Sequence, residues 1–308
     1  MPLSTPILFI VFSRPETTRQ VLGAIRQAAP ERLFVAADGP RPGREDEARR
    51  CAEVLKIVED GVDWPCELRY LRREANLGCR NAVGSAIDWF FDQVEEGIIL
   101  EDDCLPAGAF FPFCASVLER YRDETRIAHI GGFNCQEGHP RGPASYYFSR
   151  YYHVWGWATW RRAWRGFDLA MGDYPEFLAE GMLDKLFSRR ALREFWKGNF
   201  DDVVSGAADT WDYQWTYRNL KDDRLAVVPN HNLIENIGFG EGATHTSSTS
   251  STLPKLARDI PRSIVHPHFI APDPEADDFT YRRHVGLNWL YDIKRPGRLA
   301  LRALGLRR

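Results

Sequence analysis

The chain has 308 residues, 44% hydrophobic and 27% charged, which excludes a disordered or fibrous protein and leaves enough apolar material for one large domain or two ordinary ones. Its 40 basic and 43 acidic residues nearly cancel, so no global field points to a nucleic-acid partner. Ten tryptophans are more than packing alone asks for and suit a cleft that takes flat or ring-shaped ligands.

The chain opens on Ile7–Phe12, an apolar run without a basic segment before it, read as a buried strand and not as a signal peptide. Pro15-Glu16-Thr17-Thr18 then starts a helix with Pro in its first turn, and Val21, Leu22 and Ile25 share one face of it. Leu33–Ala37 is a second strand ending in the turn Asp38-Gly39-Pro40. A charged helix over about 45–58, a strand over Glu67–Leu71, a helix over about 81–92 and a strand at Ile98-Ile99-Leu100 complete the first third. Alternating strands and helices of this kind predict an α/β fold around a mainly parallel sheet. Cys104–Leu118 is uncharged, but it is too short and too rich in proline to span a membrane. The six cysteines show neither a C-x-x-C pair nor metal-ligand spacing and read as reduced thiols of a cytosolic protein.

Aromatic residues crowd the middle third, among them Tyr151, Tyr152, Trp155, Trp157, Trp160 and Trp164. Helices are expected over about 182–197 and 209–221, a strand over Leu225–Val228, and then the loop Gly238-Phe239-Gly240-Glu241-Gly242. That loop lies too late in the chain for a dinucleotide fingerprint and suits a flap over a diphosphate. The pair His266 and His268 has no partners at metal spacing. From 288 to 308 six basic residues stand against one acid, Asp292, and alternate with Leu299, Leu301, Leu304 and Leu306.

Ligands of open parallel sheets gather beyond the carboxyl ends of the strands. There this sequence puts Ser13-Arg14, Asp38-Gly39, Asn76-Leu77-Gly78 and Glu101-Asp102-Asp103. Carboxylates at a strand end hold a hard divalent cation, which also bridges diphosphate oxygens. An acidic turn capping a helix is the plainer reading of the triplet, and a tight turn that of Asp38-Gly39-Pro40. Asp209 and Asp212 flank Trp211; they fit either a carboxylate that takes a hydroxyl proton or a capping-box helix start, with Asp209 as N-cap.

The ordered set "IVFSRPETT", "AADG", "NLGCRNA", "IILEDD", "WGW", "WDYQW" and "GFGEGATHT" resembles the GT-A glycosyltransferases. It is most similar to a bacterial group like the animal N-acetylglucosaminyltransferase I family, over about residues 6–246. The resemblance implies a GT-A (Rossmann-like) nucleotide-diphospho-sugar transferase fold and a metal-dependent, inverting transfer with Mn²⁺ or Mg²⁺. UDP-GlcNAc is the first donor it suggests. It implies Asp103 as metal ligand, Asp102 at the donor ribose, and Arg14 and Asp38 at the nucleotide. Asn76 and Arg80 follow as looser donor contacts, Asp212 as base, and Trp155 and Trp157 at the acceptor. His245, just past the glycine loop, would ligate the metal or donate to the leaving phosphate. The chain divides accordingly into 1–104, the nucleotide-sugar-binding half, 105–246, the acceptor and catalytic half of the same domain, and 247–308, a C-terminal extension. A glycan or lipid-linked acceptor in cell-surface polysaccharide synthesis is expected, with the basic tail touching the inner face of the cytoplasmic membrane. The rival readings are a sugar-phosphate nucleotidyltransferase, which needs a Gly-rich loop that Phe9–Thr18 lacks, and a non-catalytic glycan-binding protein.

Overall fold

A computed structural model describes residues 2–238, 255–256 and 263–285. In chain order the first elements are β1 (Ile7–Val11), α1 (Pro15–Ala28), β2 (Arg32–Ala37), α2 (Glu45–Gly61), β3 (Glu67–Arg72), α3 (Gly78–Phe91) and β4 (Glu96–Glu101). Next come β5 (Cys104–Pro106), α4 (Phe110–Arg120), β6 (Ile127–Gly131), β7 (Tyr146–Ser149), β8 (Trp157–Trp160) and α5 (Arg161–Trp164). The remainder is α6 (Tyr174–Ala179), α7 (Met182–Leu186), α8 (Arg190–Val204), α9 (Asp212–Lys221), β9 (Leu225–Pro229), β10 (Ile234–Asn236) and α10 (Pro274–Phe279). The expected single helix over 182–197 is therefore two, because Phe187 at the end of α7 is extended (φ −128°, ψ 115°).

The main sheet has eight strands in the order β3-β2-β1-β4-β8-β6-β9-β7. Within β3-β2-β1-β4 every pairing is parallel. Strand β8 then runs against both β4 and β6, β9 is parallel to β6, and β7 closes the sheet antiparallel to β9. Six strands thus point the same way, and the α/β class with a mainly parallel sheet flanked by helices is what the chain adopts. Strands β1, β2, β4, β6 and β9 are buried almost throughout, as strands covered on both faces must be.

Turn chemistry sets the sheet's carboxyl edge. Pro15 occupies the first turn of α1, and the Thr18 hydroxyl donates to the Arg14 carbonyl at 2.7 Å, so the chain leaves β1 through a very short connection. Gly39 follows β2 where a Cβ would lie 2.5 Å from the Ala75 nitrogen, so only glycine lets the loops after β2 and β3 touch. The segment after β4 folds back as β5, which pairs antiparallel with β10 in a small second sheet. Residues 263–285 belong to the body of the domain: Ala276 and Tyr281 are buried in the core, and Pro272 bridges Phe148 of β7.

Candidate active site at the carboxyl edge of the sheet

Asp102 and Asp103 form the turn between β4 and β5, directly beyond the last residue of β4. Asp102 is buried, and its carboxylate accepts from the Phe12 amide at 3.1 Å and from Arg14 at 3.3 Å. Asp103 is the less buried of the two, 16% against 7% exposed at the side chain, and accepts from the same Arg14 nitrogen at 2.6 Å and from the Cys104 thiol at 3.5 Å. Arg14 therefore clamps the acidic pair across the ends of β1 and β4. The expected donor roles shift accordingly: the buried Asp102 is committed inward, and Arg14 first neutralises carboxylates.

The electrostatics show what this arrangement costs. Burial, with Asp103 second, pushes Asp102 up to about 7 against the pull of Arg14. Glu101, deep at the strand end, is pushed up to about 8 by burial and then by Asp103 and Asp102. One guanidinium faces three carboxylates, an excess of negative charge that a divalent cation would relieve. A Cβ on Gly238 would come within 2.3 Å of the Asp103 carboxylate, so the chain after β10 passes tight against it. No group of three or more His, Cys, Asp or Glu poised around one point occurs among the described residues. The donor set thus fits a hard cation that completes its shell with water and phosphate oxygens, and does not fit an all-protein cage.

Asp38 and Asn76 lie at the same edge but use their polar groups on each other. Asn76 donates to the Asp38 carboxylate at 2.9 Å and to the Gly39 carbonyl at 3.0 Å, and the Leu77 amide reaches Asp38 at 3.1 Å. Burial raises the Asp38 carboxyl, partly offset by these amides. Asp38 is thus the clasp that holds the start of α3 against β2. Arg80 is turned across the domain, its guanidinium donating to the Leu169 carbonyl.

The second acidic group arrives from α9. Asp209 is not the N-cap of that helix: α9 starts at Asp212, Trp211 holds the cap position, and no side chain caps it. The Asp209 carboxylate instead accepts from the Arg80 amide at 3.2 Å, in the first turn of α3, beside Gly78 in left-handed backbone (φ +77°). A Cβ at Gly78 would stand 3.0 Å from that carboxylate. Asp212 accepts from the Thr210 hydroxyl. Its charge acts on Glu101 and on Cys79, whose thiol is pushed up to about 12 by burial, then by Glu101, Asp209, Asp212 and Asp103. The charges of Glu101, Asp103, Asp209 and Asp212 all act on Cys79, and those of Arg14, Asp102, Asp103 and Asp212 on Glu101, so the two acidic groups lie near one another. Sequence reasoning placed Glu101 only within the acidic triplet and gave no role to Cys79, whose position at the α3 start was the available signal.

The two acceptor tryptophans part company. Trp155 lies just before β8, separated from it by Gly156 in left-handed backbone (φ +56°), is partly exposed, and meets Phe133 edge-on at 4.8 Å. Trp157 is a correction: it is 1% exposed, stacked on His129 at 5.0 Å and on Trp211 at 5.7 Å, so its indole is core and offers no sugar-binding face. His266 accepts or donates a bond at 2.9 Å with the Tyr146 hydroxyl, a structural contact. His245, Gly240 and Gly242 lie outside the described residues.

No family model and no curated protein matches the sequence. Among solved structures, a mannosyltransferase from Pyrobaculum calidifontis in complex with GDP-Man and Mn²⁺ is similar at 15% identity and a TM-score of 0.32, over 51% of this chain and 45% of that one. Mouse xyloside xylosyltransferase 1 is similar at 10% identity and 0.34, over 70% and 81%. A UDP-glucose pyrophosphorylase complexed with UDP-glucose follows at 13% and 0.27, over 47% and 62%. The chain spans less than half the length of the mannosyltransferase and under two thirds of the pyrophosphorylase.

Proposed function

We propose that this protein is a divalent-metal-dependent, inverting glycosyltransferase that moves a sugar from a nucleoside-diphospho-sugar, UDP-GlcNAc being the first choice, to a hydroxyl of a glycan or lipid-linked acceptor. The observation that carries the reading is the meeting of the Arg14-clamped pair Asp102–Asp103 with Asp209 and Asp212 at one sheet edge. Asp103 would hold the Mn²⁺ or Mg²⁺ ion, and such an ion would supply charge neutralisation for the departing diphosphate. Arg14, bonded to the same carboxylates, would add to that neutralisation. Asp212 takes the proton of the acceptor hydroxyl as its oxygen bonds to the anomeric carbon. The bond from that carbon to the diphosphate oxygen breaks in the same displacement, and a nucleoside diphosphate leaves. Asp212, in the first turn of α9, serves as base, while Asp209 accepts from the α3 amide and positions the start of that helix. Trp155 forms the acceptor wall.

The connection from β1 to α1 speaks against a nucleotidyltransferase. It is closed by Pro15 and by the Thr17 and Thr18 hydroxyls on the Arg14 carbonyl, with no glycine loop to cradle a triphosphate. Cytoplasmic work on surface polysaccharide, with no nucleic-acid partner, is part of the same proposal. The test is a thermal-shift and turnover series with UDP- and GDP-sugars, with and without Mn²⁺. A preferred donor at a hundred times its Kd should stabilise the fold by about 2.7 kcal/mol. Asp212→Asn should keep that shift and lose on the order of 10²- to 10⁴-fold in kcat. A binding shift without turnover by the native chain would leave a non-catalytic reading, and no shift with any nucleotide-sugar would sink the glycosyltransferase.

A further inference from the structure

Each oxygen of the acidic pair at the carboxyl edge already has a donor within the protein. Asp102 Oδ2 accepts from the Phe12 amide at 3.1 Å, and Asp102 Oδ1 from Arg14 Nη1 at 3.3 Å. Asp103 Oδ2 accepts from that same nitrogen at 2.6 Å, and Asp103 Oδ1 from the Cys104 thiol at 3.5 Å. One guanidinium nitrogen thus serves both carboxylates. Asp103 Oδ2 is hemmed in from the other side too, since a Cβ on Gly238 would stand 2.3 Å from it. An ion arriving at Asp103 therefore meets a positive charge already lodged on its carboxylate, and like charges at such range repel.

Arg14 has a fixed root and a less buried end. Its carbonyl accepts from the Thr18 amide at 3.0 Å and from the Thr17 and Thr18 hydroxyls at 3.3 and 2.7 Å, with Pro15 next in the chain. Its side chain is 26% exposed, against 7% and 16% for the two carboxylates it holds. The guanidinium can change partners by turning about its own side-chain bonds while β1, α1 and the acidic turn stay in place. Leaving without a new anion is costly, because a part-buried guanidinium would then lose its counter-charge.

We propose that Arg14 is the protein's own stand-in for the divalent cation: it holds Asp102 and Asp103 until a nucleoside diphosphate is present, then yields the pair to the ion and turns to the diphosphate. This rests on the glycosyltransferase reading and makes Arg14 the residue that couples the two ligands. The ion alone competes with a guanidinium and binds weakly. A diphosphate offers that guanidinium a second anion, suited to its paired N–H groups. Ion and nucleotide consequently raise each other's affinity by one shared factor.

The test is calorimetric titration of Mn²⁺ into the native chain and into Arg14→Gln, each alone and with UDP or GDP. Without nucleotide, Arg14→Gln should bind Mn²⁺ at least about ten-fold more tightly than the native chain. The better of the two nucleotides should raise the native affinity for Mn²⁺ by about 5- to 150-fold, the usual span of coupling between linked sites, and should raise that of Arg14→Gln by less. Equal or weaker binding of Mn²⁺ alone by Arg14→Gln would overturn the proposal. So would a nucleotide effect that is absent from the native chain or undiminished in the variant, which would make Arg14 a stationary charge. A crystal structure of the native chain with Mn²⁺ and the nucleotide is independent of how the variant folds: Arg14 Nη1 should have left Asp103 Oδ2, and finding it still bonded there would overturn the proposal. The two readings fail separately. Sugar transfer by a native chain that Arg14→Gln does not surpass in binding Mn²⁺ would sink the exchange and leave the transferase. The expected coupling in a chain that transfers no sugar would sink the transferase alone.

Discussion

The two halves of the sheet are built on different principles. β3-β2-β1-β4 is a run of local strand–helix repeats, each closed by a turn that projects a polar residue beyond the strand end. β8-β6-β9-β7 is assembled out of chain order, with mixed directions and an aromatic core in which Trp157, Trp164, Trp211 and Trp215 meet at centroid distances of 5.1–6.4 Å. The first half bears a charge cluster that is expensive to bury, and the second is an apolar scaffold that carries Asp209 and Asp212 up to it. Rigid packing on one side and electrostatic tension on the other are what a site that manages phosphate charge calls for.

The largest effect should come from the tense half. Asp103→Asn should lower turnover by at least 10²-fold while leaving the melting temperature close to the native value, because Asp103 is the less buried member of the pair. Chelation of the native protein should reproduce the loss, and re-addition of Mn²⁺ should rescue the native chain only. A variant with normal, chelator-insensitive turnover would break the division of labour between the halves. Next in size is Gly39→Ala, whose Cβ meets backbone of Glu74 and Ala75 at 2.5–2.6 Å. Parting those loops should cost about 1–3 kcal/mol by urea unfolding and loosen the Asp38 clasp on α3.

The same asymmetry decides what the sequence alone can show. Strands β1 to β4 are legible to within about two residues, because β1, β2 and β4 are apolar runs bounded by Pro, Gly or Asp and β3 alternates Leu68 and Tyr70 with charged residues. Strands β6, β7 and β8 are not: IAHIG, YYFS and WATW are buried on both faces and carry no alternation to read. Asp209 is the instructive case. Its spacing to Asp212 suits a local capping box, yet its amide partner is Arg80, 129 residues away, a pairing only the tertiary structure supplies. Trp157 fails for a related reason, since Gly156 beside it serves packing: a Cβ there would strike Ile234 at 2.3 Å.

Acid and base should distinguish the halves as well. Asp102 and Glu101 bind protons more tightly in the fold than in the unfolded chain, so their contribution favours folding at low pH and is lost as pH rises through about 7 and 8. His129 behaves oppositely. Burial lowers it to about 3, so the unfolded chain takes up the proton first, and its contribution drains as pH falls below about 6.5. Between about pH 4.5 and 6.5 the two carboxylates outweigh the one imidazole, so the stability profile should fall gently with rising pH there and more steeply from about 6.5 to 8, once His129 is neutral in both states. Mn²⁺ should lift the alkaline limb, where the carboxylates are ionised, more than the acid limb. An equal lift at both ends would detach the metal from these carboxylates.

The smallest and cleanest comparison lies within β8. Trp157 and Trp160 are both buried, at 1% and 2% exposure, and both become Phe with nearly the same loss of volume. They differ at the indole nitrogen. Trp160 donates to the Leu118 carbonyl at 3.2 Å, which ties β8 to α4, and the Arg162 guanidinium covers its ring at 4.3 Å. Trp157 Nε1 is buried with no partner among the described residues. Removing a satisfied donor strands the Leu118 carbonyl, whereas removing an orphaned one relieves a desolvation cost. Trp160→Phe should accordingly be less stable than Trp157→Phe by about 1 kcal/mol. Parallel urea titrations of the two variants measure the difference directly. If Trp157→Phe proves the costlier, its N–H has a bound partner in solution, such as a buried water behind the Asp212 segment, and the second half of the sheet is less purely apolar than its packing suggests.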